Sequence, residues 1–236
     1  MDKQRIAFVS GSTRGIGLAV AKALLDKGCM VIGNSRTKEL DVHHELRSRD
    51  NYLYIQGDVT QEEDVSYIFK RIIKTYGRID VLVNNVGMTS RKSFIASTEK
   101  DYDEMFRTNL LGAVHCSKYA LKNMIFNKYG RIINISSIAG TNALPFEVLY
   151  SSSKAALIGL TKGIAKEYAS KGVTCNVIAP GVIDTGAGNY DDIKKSIPTS
   201  QIGSPEDVAG LVAYLSSEEA AYITGQVIKI DGGLFI

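Results

Sequence analysis

Ile6-Ala7-Phe8-Val9-Ser10-Gly11-Ser12-Thr13-Arg14-Gly15-Ile16-Gly17 runs from a short apolar stretch into a glycine-rich turn, and Ile16, Val20, Ala23 and Leu24 then recur at helical spacing. The pattern predicts a strand, a tight turn and a helix. Gly11 permits the turn, while Gly15 and Gly17 let amides at the helix start approach a pyrophosphate and let the helix lie close to the sheet. An ordinary turn can carry the same letters. The place of Gly11, Ser12, Thr13, Arg14, Gly15, Ile16 and Gly17 between first strand and first helix is what favours a dinucleotide loop.

Outward from this unit the chain keeps alternating. Apolar or β-branched runs recur at 29–32, 53–55, 81–83, 132–135, 173–178 and 227–230, with helix-length segments at 61–76, 101–126, 149–168 and 205–215 between them. Continuous apolar strands separated by helices mean a parallel sheet covered on both faces, and right-handed crossovers make it doubly wound. The expectation is one α/β domain over residues 1–236, a Rossmann fold with a seven-stranded parallel sheet. Ligands then bind beyond the carboxyl ends of the strands. Polar clusters fall there: Gly11 to Gly17, Asn34 to Arg36, Asp58, Asn84 to Gly87, Ser136 with Ser137, and Pro180 to Thr185.

The 236 residues are 44% hydrophobic, enough for a sizeable core, and 28 Lys and Arg barely exceed 25 Asp and Glu. No basic run or stripe points to nucleic acid. Cys29, Cys116 and Cys175 lie far apart among apolar neighbours, and His43, His44 and His115 lack partners at ligand spacing, so neither disulfides nor a metal is expected. No apolar run approaches the ~20 residues that span a bilayer, and no leader pattern precedes Ile6, so a soluble, cytoplasmic protein is expected.

The end of the second strand decides which dinucleotide fits. NAD-binding units place an acidic residue there, about 20 residues past the glycines, on the ribose 2′-hydroxyl. This chain has Asn34, Ser35 and Arg36 instead, with Glu39 and Asp41 beyond the strand end and Arg14 inside the glycine loop. Two guanidinium groups so placed suit a 2′-phosphate, and NADP(H) is the expected cofactor.

Tyr150 and Lys154 share one helical face, four residues apart. A free tyrosine holds its proton to about pH 10, and an ammonium about 4 Å away at an effective dielectric of ~20 favours the phenolate by about 4 kcal/mol. The pair reads as an acid and its tuner, although solvated helix faces show the same spacing.

Taken together, the glycine loop, Asn84-Asn85-Val86-Gly87, Asn109 in Thr108-Asn109-Leu110-Leu111-Gly112, Ser137 and, 13 residues on, Tyr150-x-x-x-Lys154 resemble the short-chain dehydrogenase/reductases over essentially the whole chain, above all their 3-oxoacyl-acyl carrier protein reductases. The resemblance implies that Ser137 orients a carbonyl and that Tyr150 protonates it as hydride arrives from a nicotinamide. It implies that Lys154 makes Tyr150 more acidic and holds the nicotinamide ribose, and that Asn109 supports a water path. It places Asp58 and Val59 at the adenine, Asn85, Val86 and Gly87 along the cofactor groove, and Pro180, Gly181, Ile183 and Thr185 over the carboxamide. A small carbonyl or acyl-thioester substrate follows, as do a homotetramer using the small-residue face Ser151, Ser152, Ala155, Ala156 and Gly159, and acyl carrier protein docking at Lys128 and Lys171.

Ser10, Val86 and Gln201 depart from the family's usual threonine, alanine and arginine without touching the chemistry. Residues 186–199, a short substrate lid opening with Gly186-Ala187-Gly188, look shorter than the typical lid of those reductases. They leave open another ketone, quinone, sugar or alcohol as substrate. A dinucleotide-binding sensor without turnover is a third reading, disfavoured by the intact Tyr150 and Lys154 pair.

Overall fold

Ala7 and Val9 enter one apolar cluster while Ile6 and Phe8 enter the opposite one. A strand's period of two therefore demands cover on both of its faces. The computed structural model describes residues 4–38, 44–186, 188 and 190–236; Glu39, Asp41, His43 and Ala187 lie outside them. Seven parallel strands, β1 (Ile6–Ser10), β2 (Met30–Ser35), β3 (Tyr52–Gln56), β4 (Val81–Asn84), β5 (Gly130–Ile135), β6 (Val173–Pro180) and β7 (Val227–Ile230), form one sheet in the order β3-β2-β1-β4-β5-β6-β7. The expected fold and strand count are what the structure has.

Among the described residues the helices are α1 (Gly15–Asp26), α2 (His44–Arg47), α3 (Glu62–Tyr76), α4 (Glu99–Phe106), α5 (Gly112–Asn127), α6 (Ala139–Asn142), α7 (Val148–Tyr168), α8 (Asp191–Lys194) and α9 (Pro205–Leu215). α1 and α9 cover one face through Val20, Leu24, Val208 and Val212. α3, α5 and the far half of α7 cover the other through Ile68, Ile72, Met124 and Ile164. Cys29 belongs to the first layer, Cys116 and Cys175 to the second, and all three are free and buried.

The single helix expected over 101–126 is instead α4, a π turn at Arg107–Leu111, and α5. A π turn widens one helical turn without interrupting the helix, so the apolar period barely records it, and such turns gather at functional sites. α2, α6 and α8 have four residues each, too few to display a period.

Strand order reverses between β1 and β4, which opens a crevice above their carboxyl ends. At the opposite edge Asp80 is wholly buried, accepting hydrogen bonds from the Ile6 amide at 2.8 Å and Arg78 Nε at 2.6 Å. Replacing one partner of a buried ion pair strands the other. Asp80→Ala should therefore lower the unfolding free energy by about 3 kcal/mol in a denaturant titration, and a loss under about 1 kcal/mol would deny Asp80 this role.

Candidate active site

β5 ends at Ile135, and Ser136 and Ser137 emerge at the carboxyl edge of the sheet. Ser136 Oγ donates to the Lys154 carbonyl at 2.8 Å, and Lys154 Nζ donates back to the Ile135 carbonyl at 2.9 Å. α7 is thereby pinned to the strand end at two points, which sets Tyr150 beside Ser137, whose Oγ accepts from the Ala139 amide at 3.1 Å. Asn109 comes from the π turn. Its Oδ1 accepts from the Met88 amide at 2.7 Å, and its Nδ2 donates to the Met88 carbonyl and to Ser153 Oγ, each at 2.9 Å. Ser153 Oγ in turn donates to the Tyr150 carbonyl at 2.7 Å. The Asn109 side chain is thus committed to holding the loop after β4 against the first turn of α7.

The glycine loop faces the same crevice. Gly11 has φ +66°, a left-handed conformation that costs glycine little, and a Cβ on Gly17 would sit 2.1 Å from the Gly11 carbonyl oxygen. Asn85 Nδ2 donates to the Ser10 and Gly11 carbonyls at 3.1 Å each, so the loop after β4 braces the loop after β1. Arg14 is the N-cap of α1, without a side-chain cap bond or an acidic residue in the first turn, so the helix's first amides are offered to an anion. Arg14 and Arg36 are exposed and form no ion pair among the described residues. Their neighbours Thr13 and Ser35 meet at 3.5 Å, which brings the two arginine-bearing turns together. These donors fit a phosphorylated dinucleotide.

A family model described as Enoyl-(Acyl carrier protein) reductase matches residues 11–235. The chain is 36% identical to 3-oxoacyl-[acyl-carrier-protein] reductase FabG of Haemophilus influenzae over 98% of each chain. It is 39% identical to the Aquifex aeolicus FabG over 98% of this chain and 97% of that one. This chain belongs to the short-chain dehydrogenase/reductase family. The solved structure "ElxO with NADP Bound" matches it with a TM-score of 0.93 and 39% identity, covering 98% of this chain and 99% of that one. A tyrosine-to-phenylalanine variant of ElxO with NADPH bound gives the same TM-score of 0.93 at 38% identity.

Within this short-chain dehydrogenase/reductase the remaining expected residues divide. Thr185 closes over the glycine loop, its Cγ2 3.3 Å from where Gly15 would carry a Cβ. Pro180 and Gly181 continue the sheet edge through bonds to Ile138 and Ile230, Ile183 bridges to Gly203, and Gly87 stands exposed beside Lys154. Asp58 is half-buried, its Oδ1 accepting from the Thr60 amide at 2.9 Å. The Val59 side chain is buried against Gly112, and its carbonyl oxygen lies 3.2 Å from His115 Nδ1. Asn34 and Ser12 are wholly buried, and Asn34 Nδ2 donates to Ile55 and Gly57 carbonyls, making it a strut between β2 and β3. Ser151 is buried rather than on the small-residue face, while Ser152, Ala155 and Gly159 are exposed.

Ser153 escaped the sequence reading, and Ser136 entered it only as part of a polar cluster, since each matters through a partner that only the fold supplies. A cavity of about 60 Å³ lined by Met88, Lys92, Asp101, Met105, Phe146 and Leu149 escaped it too. Lys92 frames it, pairing with Asp101 at 2.6 Å while its amide donates to the Phe146 carbonyl at 2.7 Å.

Burial dominates the electrostatics of both Tyr150 and Lys154. Burial, the largest influence, raises the Tyr150 pKa, the Ser137 hydrogen bond opposes it, and the Glu147 charge adds to the rise. Lys154 Nζ lies 6.0 Å from the Tyr150 ring centroid and is itself buried, which lowers its pKa from 10.5 to about 8. Tyr150 therefore holds its proton at neutral pH, and Lys154 loses its charge as pH rises through about 8. Turnover that needs the ammonium should be full below that value and fall above it. The alkaline limb of the rate–pH profile should have its midpoint near 8, and a profile flat to pH 10 would rule this titration out.

Proposed function

We propose that this chain is a cytoplasmic, NADPH-dependent reductase that converts 3-oxoacyl thioesters borne on acyl carrier protein to 3-hydroxyacyl thioesters. The full-length match to two FabG reductases carries the reading. The unpaired arginines at the glycine loop and at the end of β2 support the 2′-phosphorylated cofactor, and the NADP-bound ElxO supports it independently. No helix among the described residues is long and apolar enough to cross a membrane.

NADPH, when bound, supplies the hydride. The amides at the start of α1 hold its pyrophosphate, and Arg14 and Arg36 hold its 2′-phosphate. Ser137 donates a hydrogen bond to the substrate carbonyl oxygen and orients it toward Tyr150. Tyr150, protonated at neutral pH, delivers its proton to that oxygen as charge develops. Lys154 stabilises the resulting phenolate and has donors left for the ribose after its bond to Ile135. Asn109 holds Met88 and, through Ser153, the Tyr150 backbone, so that the acid stays over the crevice.

The exposed residues Ser152, Ala155 and Gly159 on α7 suit close approach of a second α7 in a homotetramer. Lys128 and Lys171, both exposed, sit in the turns before β5 and β6, at the amino edge of the sheet. Ser137, Tyr150 and Lys154 lie at the carboxyl edge, roughly 20 Å away along six residues of strand. The small, partly charged cavity beside Leu149 favours a second reading, reduction of another short ketone.

Acetoacetyl thioesters should be reduced faster than quinones or sugars in an NADPH-oxidation assay, and Tyr150→Phe should lower that rate at least about 100-fold. No thioester turnover would transfer preference to the second reading, and retained activity would remove Tyr150 from its role. Arg36→Ala should raise KM for NADPH about ten-fold with little change for NADH, whereas equal effects on both would refute the 2′-phosphate assignment.

A further inference from the structure

Arg36 is exposed, yet its backbone is held on every side. Thr37 N–H donates to Ser35 Oγ at 3.1 Å. Ser35 Oγ and the Tyr54 hydroxyl are 2.8 Å apart, and the Tyr54 hydroxyl lies 2.6 Å from the Thr37 carbonyl oxygen. A hydroxyl has a single proton to give. The shortest contacts define one assignment: Thr37 N–H to Ser35 Oγ, Ser35 O–H to Tyr54, and Tyr54 O–H to Thr37 C=O, with the Ser35 carbonyl farther from that hydroxyl at 3.1 Å. The three bonds close a ring around Arg36. Outside it, Gln56 Nε2 donates to the Arg36 carbonyl at 3.1 Å, and the Gly57 amide donates to the Ser35 carbonyl at 3.0 Å.

Tyr54 is 5% exposed, and its ring packs in the apolar cluster beneath β2 and β3. A rigid core residue thus reaches up with its one polar atom and fixes both flanks of a surface arginine. Such an arginine loses little backbone freedom when it meets an anion, and avoided ordering cost appears as affinity. Gln56, the other brace, is exposed, and water competes for its bond.

We propose that Tyr54 is a positioning residue for cofactor selectivity: its hydroxyl, without touching the cofactor, sets the backbone from which Arg36 meets the adenosine 2′-phosphate. This rests on the NADP(H) reading above. Tyr54→Phe keeps the buried ring and removes only the hydroxyl, which frees the Thr37 carbonyl and one side of Ser35.

Calorimetric titration with 2′,5′-ADP and with 5′-AMP isolates the effect from catalysis. Tyr54→Phe should weaken 2′,5′-ADP binding about ten-fold and leave 5′-AMP nearly unchanged. Arg36→Ala should do the same, and the double variant should bind 2′,5′-ADP no more weakly than Arg36→Ala alone, because the hydroxyl acts through that arginine. Equal loss for both nucleotides, or additive losses in the double variant, would overturn the proposal by showing a general structural role. If Arg36→Ala weakens 2′,5′-ADP while Tyr54→Phe does not, the positioning role fails and the cofactor reading stands. If Arg36→Ala has no effect, both fail. Ser35→Ala opens the same ring at its half-buried serine and carries the same expectation should Tyr54→Phe melt below the assay temperature.

Discussion

The reciprocal bond between a strand end and a helix, Ser136 to the Lys154 carbonyl and Lys154 to the Ile135 carbonyl, is the constraint on which the site depends. Its two bonds fix the rotation and height of α7 over the end of β5. Tyr150, one turn earlier on the same helix, can then face only the end of β5, where Ser137 stands. A buried ammonium is costly in isolation, and here it is accepted at a carbonyl that also anchors the fold. Structural and chemical roles thus share a side chain, so Lys154 cannot be varied for one without disturbing the other.

A second level of polar bonding holds the surroundings of that point. Asn84 Nδ2 donates to Asn134 Oδ1 at 2.8 Å, and Asn134 Nδ2 donates to Thr161 Oγ1 at 2.7 Å, tying β4, β5 and α7 inside the core. Asn109 and Asn85 extend the pattern outward, the first to Met88 and the second to the glycine loop. Asparagine suits these places because its amide donates and accepts without a charge to desolvate. The crevice is therefore built from short, neutral cross-links between loops that each follow a different strand.

The fold was legible because its signals are local. A buried parallel strand must be continuously apolar, and a helix of eleven residues or more displays its period, so β1, β6, α1 and α9 stand out directly. The proposed catalytic residues Asn109, Ser137, Tyr150 and Lys154 stand out by their order along the chain. Relations between distant residues were not legible. Nothing in the letters indicates that Ser136 meets Lys154, that Asn34 turns into β3 rather than toward a nucleotide, or that Val59 faces Gly112. Burial was not legible for the same reason: four residues of separation gave proximity, but the burial that dominates both Tyr150 and Lys154 comes from the whole sheet.

The three free cysteines add a dynamic consequence. Burial raises the pKa of each, Cys175 to about 12, and a thiol in that state is nearly inert to alkylating reagents. Reaction must wait for its layer to lift from the sheet. Cys29 reports on the side covered by α1 and α9, while Cys116 and Cys175 report on the side covered by α3 and α5. Their separate alkylation rates would time the breathing of each face, with the unaltered sequence supplying both clocks.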